Sequence, residues 1–173
     1  MRSNASDLYG HTGRGNTMKA RVVIVIAFLL SLFNFAATAD SQIDPAHELL
    51  MVRVTNTFPE AMNAVQQAIV ANGYTLMRVQ RVDVGLTKSG YQTAEYRIVF
   101  FGKKKEIQSL SQKYPTLVPF LPLKLVVFAE SDETIVLGTN PAKLMSFYPD
   151  KALKPYFLRW EKDFLKIMKD VRS

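Results

Sequence analysis

The sequence predicts an α+β fold: a two-layer domain with an antiparallel sheet of about five strands and helices on one face. Short stretches in which apolar and polar residues alternate recur along the chain, and turn residues separate them into pairs. Amphipathic segments with helix start signals lie between and after these pairs. The resulting order is strand, helix, two strands, helix, two strands and two helices, which favours antiparallel hairpins over parallel crossovers.

The bulk composition is that of a single globular domain. The chain has 173 residues, of which 48% are hydrophobic and 21% charged. It contains no cysteine, which excludes disulfides, zinc-thiolate clusters, iron-sulfur ligation and thiol nucleophiles.

The N-terminal region resembles an export signal. An apolar run at 22–33 follows Lys19 and Arg21 and leads to a small-residue site at 37–39. The run is shorter than the roughly 20 residues that span a bilayer, so we interpret 18–39 as a signal peptide cleaved after Ala39. The protein is then expected in the periplasm or secreted. An uncleaved membrane anchor is the alternative, although no positively charged stop follows the run.

Two consequences follow for the ends of the protein. Residues 1–17 are polar and precede a methionine, Met18, that could itself begin the signal, so we interpret them as a mis-assigned extension that makes His11 irrelevant. The expected mature chain, 40–173, has 18 basic and 14 acidic residues. This mild basic excess does not indicate a nucleic-acid-binding surface. We expect contact with a membrane only through the signal segment, before it is cleaved.

The first half of the mature chain predicts one helix and three strands. Leu49 to Thr55 is a strand, and the next helix has Thr57 at its N-cap, Glu60 at capping-box spacing and Gly73 at its end. The segments 74–85 and 93–102 alternate as a hairpin with its turn at Gly90.

The second half predicts a further hairpin and three helices. A short helix at 106–114 precedes a proline-rich segment, 115–122, that is expected to be an extended connector. Strands at 123–130 and 134–139 flank a polar turn, after which Asn140 caps a helix that begins with Pro141 and runs to Tyr148. The C-terminal helix, 155–171, has an apolar stripe that is either core or interface: Phe157, Trp160, Phe164, Ile167, Met168 and Val171.

Several of these segments resemble the DUF302 family. They are TFPEAMNAVQQAIVANGYTLM, YRIVFFG and LPLKLVVFAESDETIVLGTNPAKLM, and the resemblance covers about 52–148 of the single domain at 40–173, whose core is 49–148. The motif residues are Phe58 and Glu60, Phe101 and Gly102, 121–124, and Asn140 with Pro141. Relatives often continue the Phe-Gly pair with Asn-Pro, where this chain has Lys103 and Lys104. The resemblance implies a small α+β, dimer-forming domain and no particular reaction.

The lysine run at 103–105 is a candidate anion site. Cations oppose the dipole at a helix start, whereas free amides together with Lys103, Lys104 and Lys105 would hold a phosphate or carboxylate. The alternative is that the helix begins later and these lysines lie in a solvated loop.

Glu95 is the candidate carboxylate. It is expected in a strand near Arg97, with Arg78 or Arg81 on the partner strand, which favours a surface ion pair over an acid or base of a hydrolase. Asp132 and Glu133 are expected to be solvated in their turn.

The remaining candidates concern cofactors. His47 is the only histidine of the mature chain and is expected in a solvated tail. An apolar pocket between the sheet and the last helix could hold a hydrophobic ligand, or a haem ligated by His47, Met51 or Met145. Core packing of the aromatic residues is the alternative.

Together these observations favour a secreted, non-enzymatic ligand-binding or interaction module for an unidentified small molecule or protein. The expected site includes Lys103, Lys104, Lys105, Asn140 and Glu95, where the helix after Asn140 meets the sheet. A structural homodimer or partner-binding domain without a small ligand is the second hypothesis, and a hydrolase-like enzyme is the third.

Overall fold

The structure is a computed structural model that describes residues 47–173. The predicted extension at 1–17, with His11, and the signal peptide at 18–39 lie outside the described residues, as does the expected N-terminus at Asp40, and these stay predictions. The elements are β1 (Leu49–Val54), α1 (Phe58–Ala71), β2 (Thr75–Arg81), α2 (Val82–Lys88), β3 (Tyr96–Gly102), α3 (Lys104–Lys113), a first 3₁₀ turn (Pro115–Phe120), β4 (Leu123–Glu130), β5 (Glu133–Thr139), a second 3₁₀ turn (Pro141–Ser146) and α4 (Lys154–Arg172).

The five strands form one antiparallel sheet in the order β1-β5-β4-β3-β2. Residues on one face of the sheet, among them Leu50, Val136 and Leu125, pack with α1 and α4 in the hydrophobic core. This arrangement confirms the predicted α+β class and the two-layer architecture. Within residues 47–173, none of the helices combines the length and the apolar character that crossing a membrane requires.

Local signals place α1 where the sequence predicts it. The backbone N–H and the hydroxyl of Thr57 both donate to Glu60 Oε2, at 3.0 and 2.7 Å. These bonds lower the pKa of Glu60, the side-chain bond more than the backbone bond. The helix is followed by Gly73 at φ +77°, a left-handed conformation that glycine adopts without a steric cost.

The predicted strand at 74–85 is wrong in its second half. β2 ends at Arg81, and Val82–Lys88 forms α2, so the connection to β3 is a helix and a loop rather than a tight turn. A half-buried ion pair between Asp83 and Arg97 holds α2 against β3. Although burial raises the pKa of Asp83, the hydrogen bonds from Arg97 and from the backbone of Val84 lower it overall. Alternation in so short an apolar run does not separate strand from helix.

The proline-rich segment is also different from its prediction. Residues Pro115–Phe120 form a 3₁₀ turn instead of an extended connector, and the following Leu121–Pro122 peptide bond is cis. The reason for the turn is tertiary, because it buries Leu117 completely in the core.

The C-terminal helix belongs to the core. Every residue of its predicted apolar stripe is buried, and Trp160 is 0% exposed, which decides between core and interface. The helix approaches β5 so closely at Gly138 that a Cβ atom there would lie 2.8 Å from Phe164 Cε1.

Candidate functional site

The sheet has a second face that lies outside the core. Along each strand, alternate side chains point away from α1 and α4, and we call this surface the open face. Its central row runs in register across four strands from Met51 through Leu137 and Val126 to Ile98. None of these four apolar side chains belongs to the core cluster, and Met51 is 45% exposed.

The neighbouring row of the open face is aromatic. Phe128 lies in register between Ile135 and Tyr96. Both aromatic rings are partly exposed, whereas Ile135 is only 1% exposed although it also lies outside the core cluster. The open face is therefore a second apolar layer rather than a uniformly polar surface.

A cavity of about 400 Å³ lies on the open face. Val126, Phe128 and Leu137 contribute to it from β4 and β5, and the segment 93–96, which leads into β3, lines another side. Ala129 completes the lining. This volume is within the range of about 300–1,000 Å³ that small-molecule sites occupy, and its lining is predominantly apolar as theirs is.

Charged side chains lie at both margins of the open face. At one end Arg53 donates to Glu130 and Glu133, at 2.5 and 3.1 Å, and these bonds raise its pKa. Arg53 is in register with Ile135 on the neighbouring strand. At the other end Lys124 and Arg78 flank Phe100 and carry positive charge.

The structure places Asn140 in the interior, where it is 0% exposed. Its Oδ1 accepts the N–H of Ala142 at 2.9 Å, which confirms the predicted N-cap. Its Nδ2 donates to Glu161 Oε1 at 2.8 Å and to the carbonyl of His47 at 3.3 Å. All of these contacts are within the fold, so the amide serves to hold β1, the 3₁₀ turn and α4 together.

The lysine run lies at the start of α3. Lys104 and Lys105 are exposed residues of its first turn, and Lys103 is the N-cap, so the alternative of a later helix start with all three lysines in a loop is wrong. The Lys103 ammonium group lies 4.9 Å from the ring centre of Tyr74. A cation–π contact of this kind gives Lys103 a partner inside the protein.

Glu95 and the lysines lie far apart. Glu95 comes just before β3 rather than within it, and Lys103 follows the same strand at its other end. A strand of seven residues separates the two by roughly 25 Å. Asn140 and Lys103 do lie at the same end of the sheet, but β4 runs between their strands. Arg97 pairs with Asp83 rather than with Glu95. The predicted site residues therefore do not form one cluster.

The place predicted for the site has a small cavity of about 40 Å³. Pro141, Leu144, Phe120 and Phe164 contribute to its lining. This volume accommodates about one water molecule. The larger apolar cavity lies on the opposite face of the sheet from the pocket predicted between sheet and last helix.

The candidate haem ligands do not converge. Met51 lies on the open face, whereas Met145 packs against the core on the other side of the sheet. His47 lies two residues before β1, and its carbonyl takes part in holding Asn140. Among residues 47–173, no group of three or more His, Asp or Glu side chains is arranged as a metal site.

A group of polar and ionisable side chains joins α3 and Tyr74 to α4. Glu106 accepts a hydrogen bond from Trp160 Nε1 at 2.9 Å and pairs with Arg159. The Tyr74 hydroxyl donates to Asp163 at 2.5 Å, and burial together with that carboxylate raises the pKa of Tyr74. These groups satisfy one another in a half-buried layer, which is the chemistry of a structural tether.

Sequence reasoning missed the open face, although a signal was present. Strands with one solvated face alternate, but VVF in β4 and IVL in β5 are continuous apolar runs in an antiparallel sheet. Continuous runs indicate that both faces of the central strands carry apolar side chains.

Comparison with known proteins agrees with this fold. Residues 50–171 match the family described as "Domain of unknown function DUF302". The structure also matches a crystal structure of an uncharacterized conserved DUF302 protein from Bacillus stearothermophilus with a TM-score of 0.66 and 21% sequence identity, over 72% of this chain and 98% of that one. No curated protein matches the sequence. Since the family match covers most of the chain and nearly all of the described domain, the protein belongs to the DUF302 family.

Proposed function

We propose that this protein is a non-enzymatic binding module whose site is the open face of the sheet. The observation that carries the proposal is the apolar cavity of about 400 Å³ between the segment 93–96 and the side chains of Val126, Phe128 and Leu137. We propose that it acts outside the cytoplasm, on the basis of the export signal that the sequence predicts.

The chemistry of the cavity indicates the ligand class. Its walls are methyl, methylene and aromatic groups, which gain free energy by excluding water from apolar surface at about 25 cal/mol per Å². Exposed polar side chains lie on the loop side, where Thr93 and Glu95 contribute to the lining. An uncharged or weakly polar molecule with an aliphatic or aromatic body fits these walls best.

Support for a binding role over a catalytic one comes from the ionisable residues. Glu106 and Asp83 each face an arginine that neutralises them, and both pairs lie between structural elements rather than at the cavity. Glu95 is exposed at the mouth of the cavity, and the other lining residues include no second carboxylate, no basic residue and no histidine that could share acid or base work with it.

The test uses the chain from Asp40 to Ser173 and its Leu137→Gln variant. Native mass spectrometry of protein isolated from its host should detect an apolar molecule bound to the wild type, and an apolar dye should bind the emptied protein. Leu137→Gln should weaken dye binding by about tenfold, because it places an amide in the apolar wall. Val70→Gln is the matched control, since Val70 is an exposed valine of α1 outside the cavity. Equal dye binding by all three proteins would refute the proposal.

A second candidate is a homodimer through the same face. Lys124 and Arg78 lie at one end of the open face, and Glu130 and Glu133 lie at the other. A two-fold axis that runs across the strands would place the basic end of one copy over the acidic end of its partner. Sedimentation of the ligand-free protein distinguishes the two: a dimer that Leu137→Gln dissociates favours this candidate, whereas a monomer that binds the dye favours the first.

A further inference from the structure

Large apolar side chains are exposed on a second surface, away from the open face's central rows. Val118 and Phe120 in the first 3₁₀ turn are 49% and 37% exposed, and Phe147 after the second 3₁₀ turn is 73% exposed. We call these three residues the loop patch. Phe147 is the most exposed of the large hydrophobic side chains in residues 47–173. Exposed aromatic residues grouped in this way mark interaction surfaces.

Contacts between the two turns place Phe120 beside Tyr148, the residue that follows Phe147. The hydroxyl of Tyr148 donates to the carbonyl of Thr116 at 2.5 Å, and the Tyr148 ring lies 6.0 Å from the ring centre of Phe120. Phe120 and Pro141 line the same small cavity. Because buried Asn140 caps the second turn, the backbone that presents Phe147 is fixed by the fold.

The two chain segments that carry the loop patch are basic. The segments 113–124 and 140–156 contain one acidic residue, Asp150, and five lysines: Lys113, Lys124, Lys143, Lys151 and Lys154. Asp150 is already engaged, because it accepts the N–H of Ala152 at 2.8 Å and a bond from Tyr114, which lower its pKa. Residues 47–173 have 18 basic and 12 acidic residues, a net charge of +6, and these two short segments have a net charge of +4.

We propose that the loop patch docks the folded domain onto an anionic lipid surface. Aromatic and aliphatic side chains enter the boundary between headgroups and acyl chains, while nearby lysines pair with lipid phosphates. Lysine stems are long enough to keep the ammonium group at headgroup level beside an inserted ring. This surface would add a membrane contact to the one expected of the signal segment.

The docking surface is distinct from the proposed ligand cavity. None of the three loop-patch residues lines the cavity of about 400 Å³. A variant of the loop patch can therefore lose membrane docking without losing ligand binding, and the two proposals are tested independently. A domain held at a bilayer by the loop patch would be placed where apolar molecules are abundant.

Vesicle sedimentation tests the proposal with the chain from Asp40 to Ser173. This part is expected to fold on its own, because the Bacillus protein consists almost wholly of the matching domain and crystallised in that form. It lacks the apolar run at 22–33, which would itself bind bilayers. The domain should bind vesicles that contain phosphatidylglycerol, bind pure phosphatidylcholine vesicles far more weakly, and dissociate from the former as salt rises.

Two variants identify the surface. Phe147→Ser should weaken binding to anionic vesicles by about tenfold, through the lost burial of an aromatic ring. Lys151→Glu with Lys154→Glu should weaken it by at least about 20-fold, since each lysine near an anionic surface contributes about fivefold. Both sites are exposed, and thermal unfolding should show that the variants fold.

Matched controls change the same residue types elsewhere. Val70→Ser alters an exposed apolar residue of α1, and Lys162→Glu with Lys166→Glu reverses two exposed lysines of α4. Both controls should bind vesicles within about twofold of the wild type. The proposal is overturned if the wild type ignores anionic vesicles, if it binds neutral ones equally well, or if patch and control variants lose binding alike. Patch-dependent capture of a protein or nucleic acid without vesicle binding would also overturn it.

Discussion

Replacing Asn140 by alanine tests whether this residue is a structural clasp or a surface for ligands. The side chain is 0% exposed and bonds Ala142, Glu161 and His47. Loss of a side-chain N-cap costs about 1 kcal/mol, and loss of a hydrogen bond to a charged carboxylate costs about 1.5–3 kcal/mol. The bond to His47 is long at 3.3 Å and adds little. We expect Asn140→Ala to lower the free energy of unfolding by about 3 kcal/mol.

The matched control is Asn72→Ala, which removes an equivalent amide from a partly exposed position. Asn72 Nδ2 donates to the carbonyl of Ala68 at 2.8 Å and to Asp170 at 2.9 Å, but the residue is only half-buried and water can reach both partners once the amide is removed. Its loss should cost less than about 1 kcal/mol. Urea unfolding followed by the fluorescence of Trp160, the single tryptophan, measures both variants. Equal losses would refute the assignment of Asn140 as a buried clasp.

A third variant separates the two halves of the clasp. Asn140→Asp keeps an oxygen to accept the Ala142 N–H, but it replaces the donor to Glu161 by a second carboxylate. A buried carboxyl group at position 140 in contact with a second carboxylate has its pKa raised. The variant should therefore be least stable at neutral pH and regain stability as the pH falls toward about 5. A variant whose stability relative to the wild type did not change with pH would show that Glu161 is not the partner that matters.

Two further perturbations follow from the packing. Gly138→Ala should lower the free energy of unfolding by about 1–3 kcal/mol, because the new methyl group would meet the Phe164 ring. Gly85→Ala is the control: a Cβ atom there would have no neighbour within 4 Å, so the variant should stabilise α2 slightly. Calorimetry measures the unfolding of both variants. Tyr74→Phe should cost about 2 kcal/mol below pH 10. Burial and Asp163 raise the pKa of Tyr74, so above pH 10 the phenol loses its proton in the unfolded state but keeps it in the folded state. The difference in free energy of unfolding between the wild type and Tyr74→Phe should therefore become smaller above pH 10. A difference that did not change with pH would contradict the Tyr74–Asp163 bond.

The candidate site was less predictable than the fold. Lys103, Asn140 and Glu95 each had a local chemical reason for attention, but no local signal reports which residues converge in space. Asn140 illustrates the difficulty. Its amide could have bound a ligand, but in the structure it bonds Ala142 and Glu161 of the same chain. The apolar cavity on the open face is formed by three segments: 93–96, β4 and β5. The sequence of any one segment does not indicate which residues of the other two lie beside it.

Local sequence patterns were sufficient to predict the α+β class, the capped start of α1, the β4–β5 hairpin, the Asn140 cap and the apolar stripe of α4. Each of these depends on residues within a few positions of one another, where propensity, capping and periodicity act directly. The family assignment rested on the same local motifs.

Only the tertiary structure decided the rest. Val82–Lys88 is a helix because Asp83 reaches Arg97 on β3, and Pro115–Phe120 turns because Leu117 fits the core. The apolar stripe of α4 belongs to the core because the helix packs on one face of the sheet and buries these residues there. The other face of the sheet is not covered by α1 or α4. These outcomes depend on long-range packing, in which the free energy gained by burying a side chain outweighs the weak preference of its local sequence.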